Sequence, residues 1–60
     1  MSSPGRVLAI LDLFTVERPV WPIDEINAAQ GHTRATGYRY VKELVEAGLL
    51  QKVSAGRYAL

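Results

Sequence analysis

The sequence predicts a mostly α fold with a small β-hairpin, three short helices in succession closed by two strands. Three observations carry this expectation. Val7, Ile10, Leu11 and Phe14 fall at the i, i+3, i+4, i+7 spacing of one helical face. Pro19, Pro22, Gly31 and Gly48 punctuate the chain where helices must start or stop. Leu50 to Val53 and Arg57 to Leu60 are strand-like runs, and the Ser54, Ala55 and Gly56 between them make a hairpin-length loop with glycine free for a left-handed position.

The first helix is predicted from Arg6 to Phe14, following Ser2, Ser3, Pro4 and Gly5. Val16 to Pro22 is a connector, because Pro19 and Pro22 lack amide donors and restrict the residues before them. It admits a very short strand at Val20 and Trp21. Pro22 suits the first turn of a second helix, whose N-terminal dipole is met by Asp24 and Glu25. Ile23 and Ile26 mark its buried side and Gly31 its stop. Thr33 is the predicted N-cap of a third helix reaching about Ala47 and ended by Gly48. At about 100° per residue, Gly37, Val41, Leu44 and Gly48 stack toward the core, flanked by Tyr40 and Val45; Ala35, Arg39, Lys42 and Glu46 lie opposite.

Composition narrows the function classes. Sixty residues make at most one small domain, and a folded chain this short buries only about 60% of its unfolded surface. A large enclosed active site is not expected. Yet 48% hydrophobic and 22% charged residues describe a folding chain, not a disordered one. With no Cys and the single His32, neither a disulfide framework nor a metal site is expected, and no cofactor motif is present. No run approaches the roughly 18 apolar residues of a membrane span, so the chain reads as soluble, cytoplasmic and without a membrane partner. An enzyme fails on inventory: Asp24 and Glu25 are adjacent on a helix and diverge, a poor acid and base pair.

The charge is unevenly distributed. Residues 1 to 31 set two Arg against four carboxylates, net −2; residues 32 to 60 set five basic side chains against two acidic ones, net +3. The order helix, helix, tight turn at Gly31 and His32, helix, hairpin is that of a winged helix-turn-helix, in which the outer face of the third helix projects toward a major groove. The predicted contact set is Thr33, Arg34, Ala35, Thr36, Tyr38, Arg39 and Lys42 on that helix, with Arg57 on the hairpin and Lys52 in reach of a neighbouring backbone segment. Arg forks onto guanine or phosphate, Thr donates to phosphate or meets a thymine methyl, and a helix N-terminus attracts phosphate. Arg57, beside the loop, has the reach for a minor groove or a phosphate.

Each of these residues also has a plainer reading. Arg34 and Arg39 could serve only solubility, Lys42 could pair with Glu46 one turn on, and Tyr38 sits at the border of core and exposed faces. Gly37, costly inside a helix, is explained by close approach of the second helix. Trp21 reads as a structural plug beside the wing, and His32 as a capping or solvent-facing residue.

Longer strings resemble the isocitrate lyase regulator (IclR) family of bacterial transcription factors. They are "RVLAILDLF" from Arg6, "WPIDEINAA" from Trp21, "GHTRATGYRYVK" from Gly31, "LVEAGLLQK" from Leu44 and the closing "GRYAL". The resemblance covers nearly the whole chain. It implies binding to a double-stranded DNA operator as a homodimer or homotetramer, with recognition contacts on Arg34, Thr36 and Arg39. Family members also carry a C-terminal domain that binds a small-molecule effector and supports oligomerisation, so the chain looks like an isolated DNA-binding domain or a natural truncation. It departs from the family at Pro22, where a hydroxyl N-cap is common, and at His32 and Gly37, where bulkier apolar residues are common. The competing expectation is a winged-helix protein-interaction module that docks a partner through Leu8 and Leu13, which point off the main stripe of the first helix.

Overall fold

The computed structural model describes residues 4–60; Met1, Ser2 and Ser3, part of the lead-in to the first helix, lie outside it. The order is α1 (Pro4–Ala9), a 3-10 turn (Ile10–Leu13), β1 (Val20–Pro22), α2 (Ile23–Gln30), α3 (Arg34–Glu46), β2 (Gln51–Ser54) and β3 (Arg57–Ala59). Three helices and an antiparallel three-stranded sheet of order β1-β3-β2 enclose one core.

The first helix differs from its predicted form. It begins by Pro4 and tightens at Ile10 into a 3-10 turn. With three residues per turn, positions i and i+3 eclipse, so Leu13 follows fully buried Ile10 inward and packs on the core. Leu13 therefore leaves the expected partner surface; Leu8 stays 53% exposed. Phe14 is buried, with Val7 and Leu11 packed at the edge of the core.

The short strand at Val20 and Trp21 is present and includes Pro22, which is the N-cap of α2 (φ −67°, ψ 146°) instead of a residue of its first turn. β1 is an edge strand, where a missing amide donor is tolerated. The Ile23 amide, first in α2, donates to the Gly56 carbonyl at 2.8 Å, tying the helix start to the hairpin tip. α2 ends as expected at Gly31, left-handed at φ 71°. Thr33 then caps α3, its hydroxyl accepting from the Thr36 amide at 3.2 Å.

On α3, Gly37, Tyr40, Val41 and Leu44 are buried. Gly48 is a correction: the helix ends at Glu46, Ala47 caps it, and Gly48 turns left-handed (φ 80°) into solvent, out of the core stack. The Leu49 and Leu50 amides fold back onto the Leu44 carbonyl at 2.9 and 3.2 Å, which delivers Leu50 into the core. The hairpin loop is shorter than predicted, because Ser54 belongs to β2 and pairs with Arg57 after a register shift at Val53. The added element is the pairing of β1 with β3, which sets Trp21 opposite Tyr58.

Candidate nucleic-acid interface

The 3.6-residue period that buries Gly37, Tyr40, Val41 and Leu44 sends Ala35, Tyr38, Arg39 and Lys42 outward at i, i+3, i+4, i+7. All four are exposed, as are Thr33 and Arg34 at the helix start. Thr36 departs from the set: it is half-buried, and its amide is held by the Thr33 cap. Arg57 is exposed at the first position of β3, directly after left-handed Gly56. The structure thus gathers seven of the eight predicted contact residues on exposed surface, six around one face and end of α3 and one on the wing.

The close fit of α2 on α3 makes this possible. A Cβ at Gly37 would fall on the Asn27 side chain, so only glycine lets the two helices approach at this level. Asn27 is buried with its Oδ1 lacking a hydrogen-bond partner. His32 neither caps nor faces solvent: it is half-buried, edge-on to the Tyr40 ring at 5.0 Å between centroids. Its ring thus packs on α3, and its Nδ1 is buried without a hydrogen-bond partner.

Charged neighbours tune the face. Arg34 Nη2 lies 3.8 Å from Asp24 Oδ1, and both side chains are mostly exposed, so the pair is loose. The Arg39 guanidinium sits 5.6 Å from the Tyr40 ring centroid, and the residue is exposed. Lys42 and Glu46 do not pair; among the described residues the ion pairs are Arg18 with Glu25 and Arg34 with Asp24. Arg18 also stacks on Trp21, 3.7 Å from the ring centroid, while Phe14 flanks the indole at 6.4 Å. Trp21 is the plug beside the wing that the sequence suggested.

Tyr38 is both exposed and a packing residue. It rims a hollow shared with Lys42, Val45, Lys52 and Tyr58. Burial, and then the neighbouring Tyr38, push the Tyr58 phenol above its usual pKa of 10.0. Tyr58 was missing from the predicted site; its alternation with exposed Arg57 in "GRYAL" was the available signal, but which face it joined depended on pairing across the sheet. Among the described residues no group of three or more His, Cys, Asp or Glu converges as a metal site, and no helix is long and apolar enough to cross a membrane.

Comparison with known proteins agrees with this architecture. No curated protein matches the chain. Among solved structures, an IclR homologue from Microbacterium sp. strain HM58-2 superposes with a TM-score of 0.85 at 28% identity, over 100% of this chain and 25% of that one. An IclR homologue from Microbacterium hydrocarbonoxydans complexed with 4-hydroxybenzoate gives 0.83 at 28% identity, over 93% and 23%. The chain therefore spans about a quarter of the length of these relatives. Residues 3–54 match the IclR helix-turn-helix domain. With that match over most of its length and the same winged helix-turn-helix fold, the chain belongs to the IclR family of helix-turn-helix DNA-binding domains of transcription regulators.

Proposed function

We propose that residues 1–60 form the operator-reading domain of a longer transcription regulator, which inserts α3 into a major groove and lays the wing on the flanking backbone or minor groove. The observation that carries this reading is the outward face of α3: Arg34, Ala35, Tyr38, Arg39 and Lys42 are exposed together and the two arginine forks are not closed by a tight ion pair. Arg34 and Arg39 read guanine or grip phosphate, Thr33 and Lys42 hold phosphate, Ala35 lets the backbone approach base edges, and Arg57 reaches from the wing. Thr36 acts mainly through the helix start it helps to order. The regulator works as a homodimer or homotetramer in the cytoplasm, and a small-molecule effector reaches it through a domain outside these residues. No cofactor, metal or catalytic role is assigned to the chain.

A second reading has one observation in its favour. Exposed Leu8 borders an apolar groove with Pro4, Val7, Ala47 and Leu49, between α1 and the end of α3. This face suits a protein partner and is compatible with DNA binding by a dimer.

Selection from a random duplex pool at about 50 mM salt separates the readings. Enrichment of a palindrome, lost in Arg34→Ala and Arg39→Ala, is the expected result. Retention without enrichment would reduce the domain to phosphate affinity. No retention would shift the function to the apolar groove.

A further inference from the structure

Asn27 of α2 is polar yet buried, 7% exposed, and it engages the approach to α3 with two of its groups. Its main-chain carbonyl accepts from the Gly31 amide and, at 3.0 Å, from the His32 amide, which closes the turn. Its side chain meets Gly37: a Cβ built there would land on Oδ1, so Oδ1 lies in line with a Gly37 Cα–H bond. No N–H or O–H donor reaches that oxygen. A buried amide short of a partner costs stability that an apolar side chain of the same shape would not, so stability does not account for asparagine at this point. Approach distance does. A carbonyl oxygen meets a Cα–H carbon at about 3.3–3.6 Å, whereas a methyl group keeps about 3.5–4.0 Å from another carbon. The amide therefore lets α3 settle a few tenths of an ångström nearer α2 than a leucine would.

Position 37 is also where such a shift is passed to the outward face. At about 100° per residue, two residues span about 200°, so Ala35 and Arg39, two before and two after Gly37, stand almost opposite it across the helix axis. Both are exposed. A push on Gly37 from α2 moves these two outward along the line of the push. We infer that Asn27 is a positioning residue that determines sequence preference: without touching DNA, it sets through Gly37 how far Ala35 and Arg39 stand out from the body of the domain. The inference rests on the DNA-binding reading above and adds a residue of α2 to it. Base-edge contacts tolerate about 0.5 Å of displacement, so a shift of a few tenths is felt there, most of all at Ala35, which has no stem to flex. Phosphate contacts made by long, flexible side chains absorb it. The seating of α3 on Asn27 thus governs choice among sequences more than affinity for duplex as such.

The test is the ratio of the chain's affinities for a selected operator and for a scrambled duplex of equal length, measured by fluorescence anisotropy with melting temperatures read in parallel. An unfolded fraction lowers both affinities alike and cancels in the ratio. Asn27→Leu, which keeps the shape and removes the oxygen, should melt within about 5 °C of wild type and lose about tenfold in the ratio, the share of one good base contact. Asn27→Ala, which opens space without pushing on α3, should melt lower and keep the ratio. Gly37→Ala should lose the ratio by a similar factor, and the Gly37→Ala, Asn27→Ala double variant should regain it. An Asn27→Leu chain with the wild-type ratio would overturn the inference. So would a Gly37→Ala chain with the wild-type ratio, which keeps the test open through position 37 if Asn27→Leu does not fold. An Asn27→Ala chain whose ratio falls along with its melting temperature marks a merely structural residue and overturns it too. In each of these cases a wild-type chain that prefers its operator leaves the DNA-binding reading intact; if selection with the wild-type chain yields no operator, that reading and the inference fall together.

Discussion

Gly37 of α3 and Asn27 of α2 meet so closely that any Cβ at position 37 would overlap the Asn27 amide. This contact fixes how near the recognition helix lies to the helix behind it. Gly37→Ala gains about 1 kcal/mol in helix propensity but forces overpacking that costs about 1–3 kcal/mol. The helices must separate or Asn27 must leave its place. The expected outcome is a net loss of stability by urea titration, and its recovery in the Gly37→Ala, Asn27→Ala double variant. A Gly37→Ala chain as stable as wild type would show that the helices part freely.

The Thr33 hydroxyl is the side-chain cap of α3. Thr33→Ala should destabilise the chain by about 1 kcal/mol, and Thr33→Ser should retain most of the stability. In a domain of this size such a loss is a sizeable fraction of the total. Thermal unfolding followed by circular dichroism measures both variants, and equal melting of Thr33→Ala and wild type would show that the hydroxyl plays no part in starting the helix.

Tyr58 couples stability to alkaline pH. Its folded-state pKa is raised, first by burial and then by Tyr38, above the 10.0 of an exposed phenol. A group with a raised folded pKa contributes stability that is complete below the unfolded value and is lost as pH climbs through the folded one. The unfolding free energy should therefore fall above pH 10, and Tyr58→Phe should flatten that fall. Parallel pH profiles for the two chains would assign the loss to other groups.

Asp24 sits beside Arg34 at the start of the recognition helix, a carboxylate on the surface proposed to meet phosphate. Asp24→Asn should strengthen duplex binding a few-fold at about 50 mM salt, and the gain should vanish near 1 M, where the screening length is about 3 Å. Arg34→Ala and Arg39→Ala should cost about 1–3 kcal/mol. A selected operator against a scrambled duplex distinguishes their roles: loss confined to the operator marks a base reader, and equal loss on both marks a phosphate contact.

Much of the domain was legible because its signals are local. Helical periodicity identified most of the buried stripe of α3 and, opposite it, the exposed set Ala35, Arg39, Lys42 and Glu46, while Tyr38, read as a border residue, is exposed. Thr33 and Gly31 marked the ends of neighbouring helices because a cap needs only its own few residues to act. Gly37 was readable as a close approach, since glycine weakens a helix interior and, on a core-facing stripe, the missing side chain makes room for the neighbouring helix.

By itself, then, the sequence determined three helices, a hairpin, the facing of α3 and the segregation of positive charge into the second half of the chain. Only the tertiary structure decided the rest. The tightening of the first helix that turns Leu13 inward, the exit of Gly48 from the core and the lodging of His32 against Tyr40 each depend on space left by distant residues. So do the strand pairing that sets Trp21 opposite Tyr58 and the hollow that α3 and the wing line together. Periodicity and capping act over a few residues, whereas these features arise when separate segments close on one another, and that closure is set by packing of the whole core.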